Sequence, residues 1–158
     1  MKGKPEVLAE LSARLKEELG AINQYILHAE MCENWGYERI SKSTKQQAIG
    51  EMKHAEKLVE RILFLEGLPK MDELAKISIG KNVKQQLEND LALEKGAVTA
   101  YNKSIEICRT AGDNASADFL KEILKDEEGH IDHLETELGL MEQLGMENYL
   151  AQQIKKEG

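Results

Sequence analysis

Two short stretches of the chain carry residue types suited to holding a metal ion. "EMKHAEKL" places Glu51 and His54 three residues apart, and "EEGHIDHL" does the same with Glu127 and His130. On a helix, a spacing of three turns about 300°, which leaves the two side chains about 60° apart on one face. A carboxylate and an imidazole on one face can address one cation, and oxygen with imidazole donors suits iron or manganese, with zinc as a competitor. No thiolate joins the set, which argues against a zinc knot or an iron–sulfur cluster.

The two pairs are separated by a constant offset of 76 residues. Sliding the chain on itself by that offset, without a gap, gives 16 identities over the 62 positions from 7 to 68. Composition alone would give about four. The apolar matches include Val7/Val83, Leu11/Leu87 and Leu58/Leu134; the others include Glu18/Glu94, Gly20/Gly96, Tyr25/Tyr101, Cys32/Cys108 and Gly36/Gly112. The chain therefore reads as two helical hairpins related by a pseudo-twofold axis. That axis brings Glu51, His54, Glu127 and His130 together at the centre and adds Glu18 and Glu94 from the remaining two helices.

Four carboxylates and two imidazoles result, and the carboxylates neutralise two divalent ions. A single Glu-x-x-His is commonplace on a charged helix, and Glu18 or Glu94 alone would be a solvated residue. Repetition of all six at one offset is what selects a two-metal site. Tyr25, seven residues after Glu18, shares its helix face. It either packs and bonds a ligating carboxylate or donates an electron during dioxygen reduction, and Tyr101 shares that ambiguity. His133 has Lys57 as its repeat mate and is read as lying near or outside the centre. Cys32 and Cys108 read as small buried residues near helix ends.

The elements that must position these groups are long helices. Pro5 suits a first helical position, and apolar residues recur at helical spacing to about Asn34. "NWGY" breaks the run, and a second helix extends from about Glu38 to Leu65, stopped by Gly67 and Pro69. "LPKMDELAKISIGK" is a connection able to run from one end of a bundle to the other. Asn82 with Gln85 resembles a cap opening a third helix to about Thr110. "GDN" turns into a fourth helix ending near Leu144, and Gly145 sets off a short fifth segment. Two tight turns and one long crossover between helices 2 and 3 describe an all-α, ferritin-like four-helix bundle, with one domain over residues 1–158. One Glu from each of two helices and Glu-x-x-His from the other two is the ligand composition of di-iron proteins with that fold.

Bulk properties agree. Charged residues make up 32% and aromatics 4% of the 158 residues, a balance that favours helices over sheet. A formal charge of −8 argues against nucleic acid as a partner. The start, "MKGKPEVLAEL", lacks the apolar core of a signal peptide, and no run of about 18 apolar residues spans a bilayer. A cytoplasmic protein without a membrane partner is expected.

The chain resembles the bacterioferritin family along essentially its full length, in "ELGAINQYILHAEM", "GEMKHAEKLVERILFLEGLP", "DLALE", "EILKDEEGHIDHLETEL" and "NYLAQQIKKEG". The resemblance implies a ferroxidase that oxidises Fe(II) with dioxygen or hydrogen peroxide and stores Fe(III) mineral in a hollow shell of twenty-four subunits. It implies two iron ions per subunit, bridged by Glu51 and Glu127 and bound terminally by Glu18 and Glu94, with His54 and His130 completing the set. It also implies a b-type haem at a twofold subunit contact, ligated by Met52 from each subunit, with Leu19, Ile22, Asn23, Ile26 and Ile49 lining the pocket. Met52 sits about 100° from Glu51 and about 160° from His54 around the helix, so it leaves the bundle by another face. Haem would carry electrons inward to release iron, drawn from a ferredoxin-type donor. Gln46 and Gly50 depart from a further iron site on the inner surface, and Leu58 and His133 stand where aromatics could assist electron transfer. A dedicated di-iron oxidase or peroxidase would use the same six ligands without storing iron, although the Cys-x-x-Cys of a rubredoxin-like extension is absent. A haem-free ferritin is the nearer alternative.

Overall fold

A computed structural model describes residues 1–155; the last three residues of the expected 1–158 domain, which also end the segment "NYLAQQIKKEG", lie outside the described residues. Among the described residues five helices occur, in the order α1 (Pro5–Asn34), α2 (Glu38–Phe64), α3 (Val83–Thr110), α4 (Asn114–Leu144) and α5 (Met146–Gln153). Pro5 opens α1 at its first turn, where a missing N–H leaves no intrahelical bond unmade. Asn82 caps α3 by accepting from the Gln85 N–H at 2.9 Å, as its sequence position implies.

The two hairpin turns are built alike. Gly36 and Gly112, repeat mates, hold φ at 91° and 82°, a region costly for residues with a Cβ. In each turn the next N–H reaches back over the helix end: Tyr37 to the Cys32 carbonyl and Asp113 to the Cys108 carbonyl, both at 2.9 Å. The cysteines thus sit at helix ends, buried and unpaired, as expected. Helix α1 packs along α2 and α3 along α4, and the hairpins meet mainly through α1 and α3.

The apolar core is divided. One cluster near the start of α1 gathers Leu11, Leu15, Leu58, Ile62, Ile105 and Leu120. A second, at the other end, gathers Cys32, Ile40, Leu87, Leu134, Met141 and Tyr149. Along every helix of the bundle, the six metal-site candidates fall between these clusters. Both ends of the candidate site are therefore sealed by hydrocarbon, which lowers the local dielectric and strengthens each charge interaction inside. Helix α5 closes the second end, where the Tyr149 hydroxyl donates to Glu137 at 2.6 Å.

The crossover, residues 65–82, lies across α1 and is tied down by a buried polar network. Ala75 N–H donates to the Lys16 carbonyl at 3.1 Å, Ser78 N–H to Gln24 Oε1 at 3.0 Å and Gly80 N–H to His28 Nε2 at 3.0 Å. His28 Nε2 accepts that bond, so its Nδ1 carries the proton and donates to Asp90 at 2.9 Å. Gln24 Nε2 donates to the same carboxylate at 2.8 Å. The crossover passes so close to α1 at Gly20 that a Cβ there would come within 2.9 Å of the Ala75 carbonyl oxygen.

Candidate metal centre

All six residues selected by the offset converge at mid-bundle. Glu18, Glu51, Glu94, Glu127 and His54 are each no more than 3% exposed. They form two overlapping groups, one of Glu18, Glu51, His54 and Glu127 and one of Glu51, Glu94, Glu127 and His130, each with ligand atoms within 4.8 Å of one another. Glu51 and Glu127 belong to both groups; the other four belong to one each. His54 turns Nδ1 inward, 3.0 Å from Glu127 Oε1 and 3.5 Å from Glu18 Oε2. His130 turns its own Nδ1 inward, 3.1 Å from Glu51 Oε1 and 3.3 Å from Glu94 Oε1.

The tyrosines cross between the halves. The Tyr25 hydroxyl donates to Glu94 and the Tyr101 hydroxyl donates to Glu18, the latter at 2.6 Å. Each tyrosine shares a helix with one glutamate yet bonds its repeat mate. Seven residues along a helix is about 10.5 Å, too far for a bond to the glutamate of the same helix, and the pseudo-twofold supplies the other. Tyr25 thus reaches a carboxylate of the centre; Tyr101, equally buried, has the same relation.

The electrostatics are those of a cluster whose charges are not balanced by protein groups alone. Five buried atoms, Glu18 Oε2, Glu51 Oε1, His54 Nδ1, Glu94 Oε2 and Glu127 Oε1, make no hydrogen bond within the protein. Buried polar atoms without a partner are costly, and here they face one another rather than a donor. Burial and the neighbouring Glu18 carboxylate raise Glu51 well above the usual carboxylate range. Burial, then the adjacent Glu94, pushes Glu127 up to about 12. Burial also pushes Glu94 upward, but bonds with Glu127 and His130 outweigh it and hold that carboxyl below its ordinary value. For His54, burial disfavours the charged ring, and Glu127, Glu18 and Glu51 together overcome it and raise the imidazole. Burial likewise raises both Tyr25 and Tyr101, so the phenols remain donors. Protons are thus drawn to the points where cations would relieve the same repulsion.

Two openings reach the centre. A cavity of about 250 Å³ between α1 and α3 is lined by Glu17, Glu18, Ala21, Glu51, Gly96 and Glu127, among others. Another, of about 330 Å³ between α2 and α4, is lined by His54 and His130 with Lys53, Lys57, Lys125 and Asp126. At the first mouth Glu17 stands with Lys76, and the second is largely basic. Asp126 was not singled out from the sequence; it accepts from His54 Nε2 at 2.8 Å. His133 lies outside the ligand groups, with its Nε2 3.1 Å from Ser43 Oγ.

On the outer side of α2, Met52 is 40% exposed. It shares a cavity of about 580 Å³ with Leu19, Ile22, Ala55, Val59 and Met71. Asn23, Ile26 and Ile49 are exposed and outside this lining. Met71 belongs to the crossover, which has no periodicity by which the sequence could have revealed it. Among the described residues, no helix is long and apolar enough to cross a membrane.

Comparison with known proteins points one way. The model of the ferritin-like domain matches residues 8–144. The bacterioferritin of Brucella melitensis is 47% identical over 149 residues, covering 94% of this chain and 92% of that protein. The bacterioferritin of Mycobacterium leprae is 44% identical over 156 residues, with 99% and 98% covered. That of Rhodobacter capsulatus is 40% identical over 149 residues, with 94% and 92% covered.

Proposed function

We propose, from the premise that this chain belongs to the bacterioferritin family of ferritin-like proteins, that it is an iron-storage ferroxidase. The observation that carries the reading is the pair of overlapping donor groups sharing Glu51 and Glu127. Two Fe(II) ions are the substrate. Glu51 and Glu127 touch both ions; Glu18 with His54 holds one, and Glu94 with His130 holds the other. Four carboxylates balance two divalent charges, and the six donors replace the water that each ion gives up on entry.

The buried carboxylates behind the α1–α3 opening attract Fe(II), and the lysines at the α2–α4 mouth repel it. Tyr25 and Tyr101 fix the outer carboxylates by hydrogen bonds, so little reorganisation accompanies binding. Each Fe(II) gives up one electron. The pair reduces dioxygen to hydrogen peroxide with two protons, or hydrogen peroxide to two waters with two protons. The Fe(III) product passes to a mineral inside a closed homo-oligomeric shell, for which twenty-four subunits is the family expectation.

Met52 with Leu19, Ile22 and Met71 is a suitable place for haem: an exposed thioether in a largely apolar depression that Glu56 and Glu60 also line. Haem bound there between two subunits would supply a one-electron path, and thioether ligation raises its potential. A cytoplasmic location and a ferredoxin-type donor complete the proposal.

Stopped-flow oxidation of Fe(II) tests the centre. Wild type is expected to oxidise two ions per subunit in a fast phase that Glu94→Ala removes. Persistence of that phase unchanged would reject the assignment. Electron microscopy of iron-loaded protein tests storage, with an electron-dense core expected. Met52→Leu is expected to abolish haem absorbance while leaving the fast phase intact, and unaltered haem content in that variant would reject Met52 as the ligand.

A further inference from the structure

The repeat that assembles the centre fails at one pair of positions beside it. Asp126 immediately precedes Glu127, and its mate at the offset of 76, immediately preceding Glu51, is Gly50. The pseudo-twofold that sets Asp126 against His54 sets position 50 against His130. The structure bears this out: a Cβ placed on Gly50 would lie 3.9 Å from His130 Nε2, with no other group from outside its own helix turn within 4 Å. Position 50 therefore faces one imidazole as position 126 faces the other, without a side chain to offer it.

The two histidines differ accordingly. Asp126 Oδ2 lies 2.8 Å from His54 Nε2 and accepts from it, which fixes Nε2 as a donor and leaves Nδ1 as the nitrogen turned to the cluster. His130 Nε2 has no hydrogen-bond partner among the described residues. The His130 side chain is 19% exposed against 4% for His54. Before binding a cation, His130 must release the inward bond of Nδ1 to Glu94 and keep its ring proton on an Nε2 that no acceptor holds, whereas His54 Nε2 already has Asp126.

We infer that the two cation sites are unequal, with Asp126 the positioning residue that makes the site of Glu18, Glu51, His54 and Glu127 the tighter. The site of Glu51, Glu94, Glu127 and His130 is the weaker because Gly50 leaves the outer nitrogen of its histidine without an acceptor. The inference rests on reading the centre as a two-cation site. Outer partners of ligating histidines typically change metal affinity by about 10–100-fold.

The test is an equilibrium titration of chelator-stripped protein with Co(II), followed by visible absorption. Wild type is expected to take up two equivalents per subunit in two steps about tenfold or more apart. Asp126→Ala, at a position 60% exposed and so tolerant of truncation, is expected to weaken the tighter step by about tenfold or more and leave the other in place. Asp126→Asn, which keeps an oxygen acceptor, recovers part of that loss. Gly50→Asp supplies the missing carboxylate and is expected to tighten the weaker step, whereas Gly50→Ala, with a Cβ alone, moves neither. Two equal steps in wild type, an equal shift of both steps in Asp126→Ala, or no response to Gly50→Asp would each overturn the inference. Uptake of fewer than two equivalents is a separate failure, since it would overturn the two-cation reading itself.

Discussion

Hairpin α1–α2 and hairpin α3–α4 present the same glutamate, tyrosine and Glu-x-x-His, yet their outer faces meet different surroundings. Gly20 is pressed against the crossover, while its mate Gly96 has nothing within 4 Å of where a Cβ would stand. Asp90 holds Gln24 and His28 beneath the crossover; its mate Arg14 pairs instead with Glu17 at 2.9 Å and lies 5.6 Å from the centre of the Tyr101 ring. One chain can cross from α2 to α3 on one side only, so the twofold relation cannot extend to that surface. It holds where the two halves face each other, and there the six candidate donors are. The likeness of the hairpins thus marks the shared chemistry, and their differences mark what each half does alone.

Breaking the shared part has the largest expected effect. Glu51→Ala and Glu127→Ala each remove a donor from both groups and are expected to slow fast Fe(II) oxidation by about 100-fold or more. Glu18→Ala and Glu94→Ala remove a donor from one group each, so one Co(II) equivalent is expected to survive in each. Loss of both equivalents in the single-group variants would dissolve the distinction between shared and private ligands.

A second measurement sets the metal-loaded protein against the chelator-stripped one across pH. In the folded chain Glu127 holds its proton up to about 12, whereas the unfolded chain releases it from about 4.5. Between those values the folded state binds the extra proton, so the stability of stripped protein falls as pH rises through the window. Glu51 and His54, both raised, act in the same direction. Cations displace these protons, so binding tightens with rising pH. The gap between the melting temperatures of loaded and stripped protein is expected to widen from mildly acidic to mildly alkaline pH. A constant gap would mean that the buried carboxyls hold no protons for cations to displace.

Tyr25→Phe and Tyr101→Phe sharpen the comparison, because each removes one crossed bond to a carboxylate. Hydrogen bonds to charged groups are worth about 1.5–3 kcal/mol, and the two variants are expected to cost alike in denaturant unfolding. A large inequality would show that the pseudo-twofold does not extend to the tyrosines.

The smallest expected effect lies at the hairpin turns. Asp113 caps α4 by accepting from the Ser116 N–H at 3.0 Å, while its mate Tyr37 caps α2 with no side-chain bond. Asp113→Ala is expected to cost about 1 kcal/mol. Burial raises the Asp113 carboxyl, but bonds from Ser116 and the charge of Arg61 outweigh it and hold it below its ordinary 3.8. The stabilisation it gives is therefore present above that value and lost as pH falls through the lowered one. A variant indifferent to this substitution at neutral pH would place the strength of the turn in Gly112 and the backbone bond alone.

Much of this arrangement was legible before any coordinates. Pro5, Asn82 and Gly145 mark helix ends through local chemistry, and the observed helices begin and end within a residue or so of the expected positions. The six donors were legible because a repeat with one offset converts sequence spacing into spatial convergence. The crossover contacts were not, since a segment without periodicity gives no face to read; Gly20, His28 and Met71 acquire their partners only in space. Asp126 was missed for another reason. A search for identities discards the mismatch Gly50/Asp126, although a carboxylate beside one Glu-x-x-His and a glycine beside the other was visible in the chain.

The most direct measurement is an anomalous-scattering map at the iron edge from crystals soaked anaerobically with Fe(II). Two peaks per subunit are expected at mid-bundle, one flanked by Glu18 and His54, the other by Glu94 and His130, with Glu51 and Glu127 between them. A single peak there, or iron lodged only at the mouths or on the surface, would contradict the convergence on which the function depends.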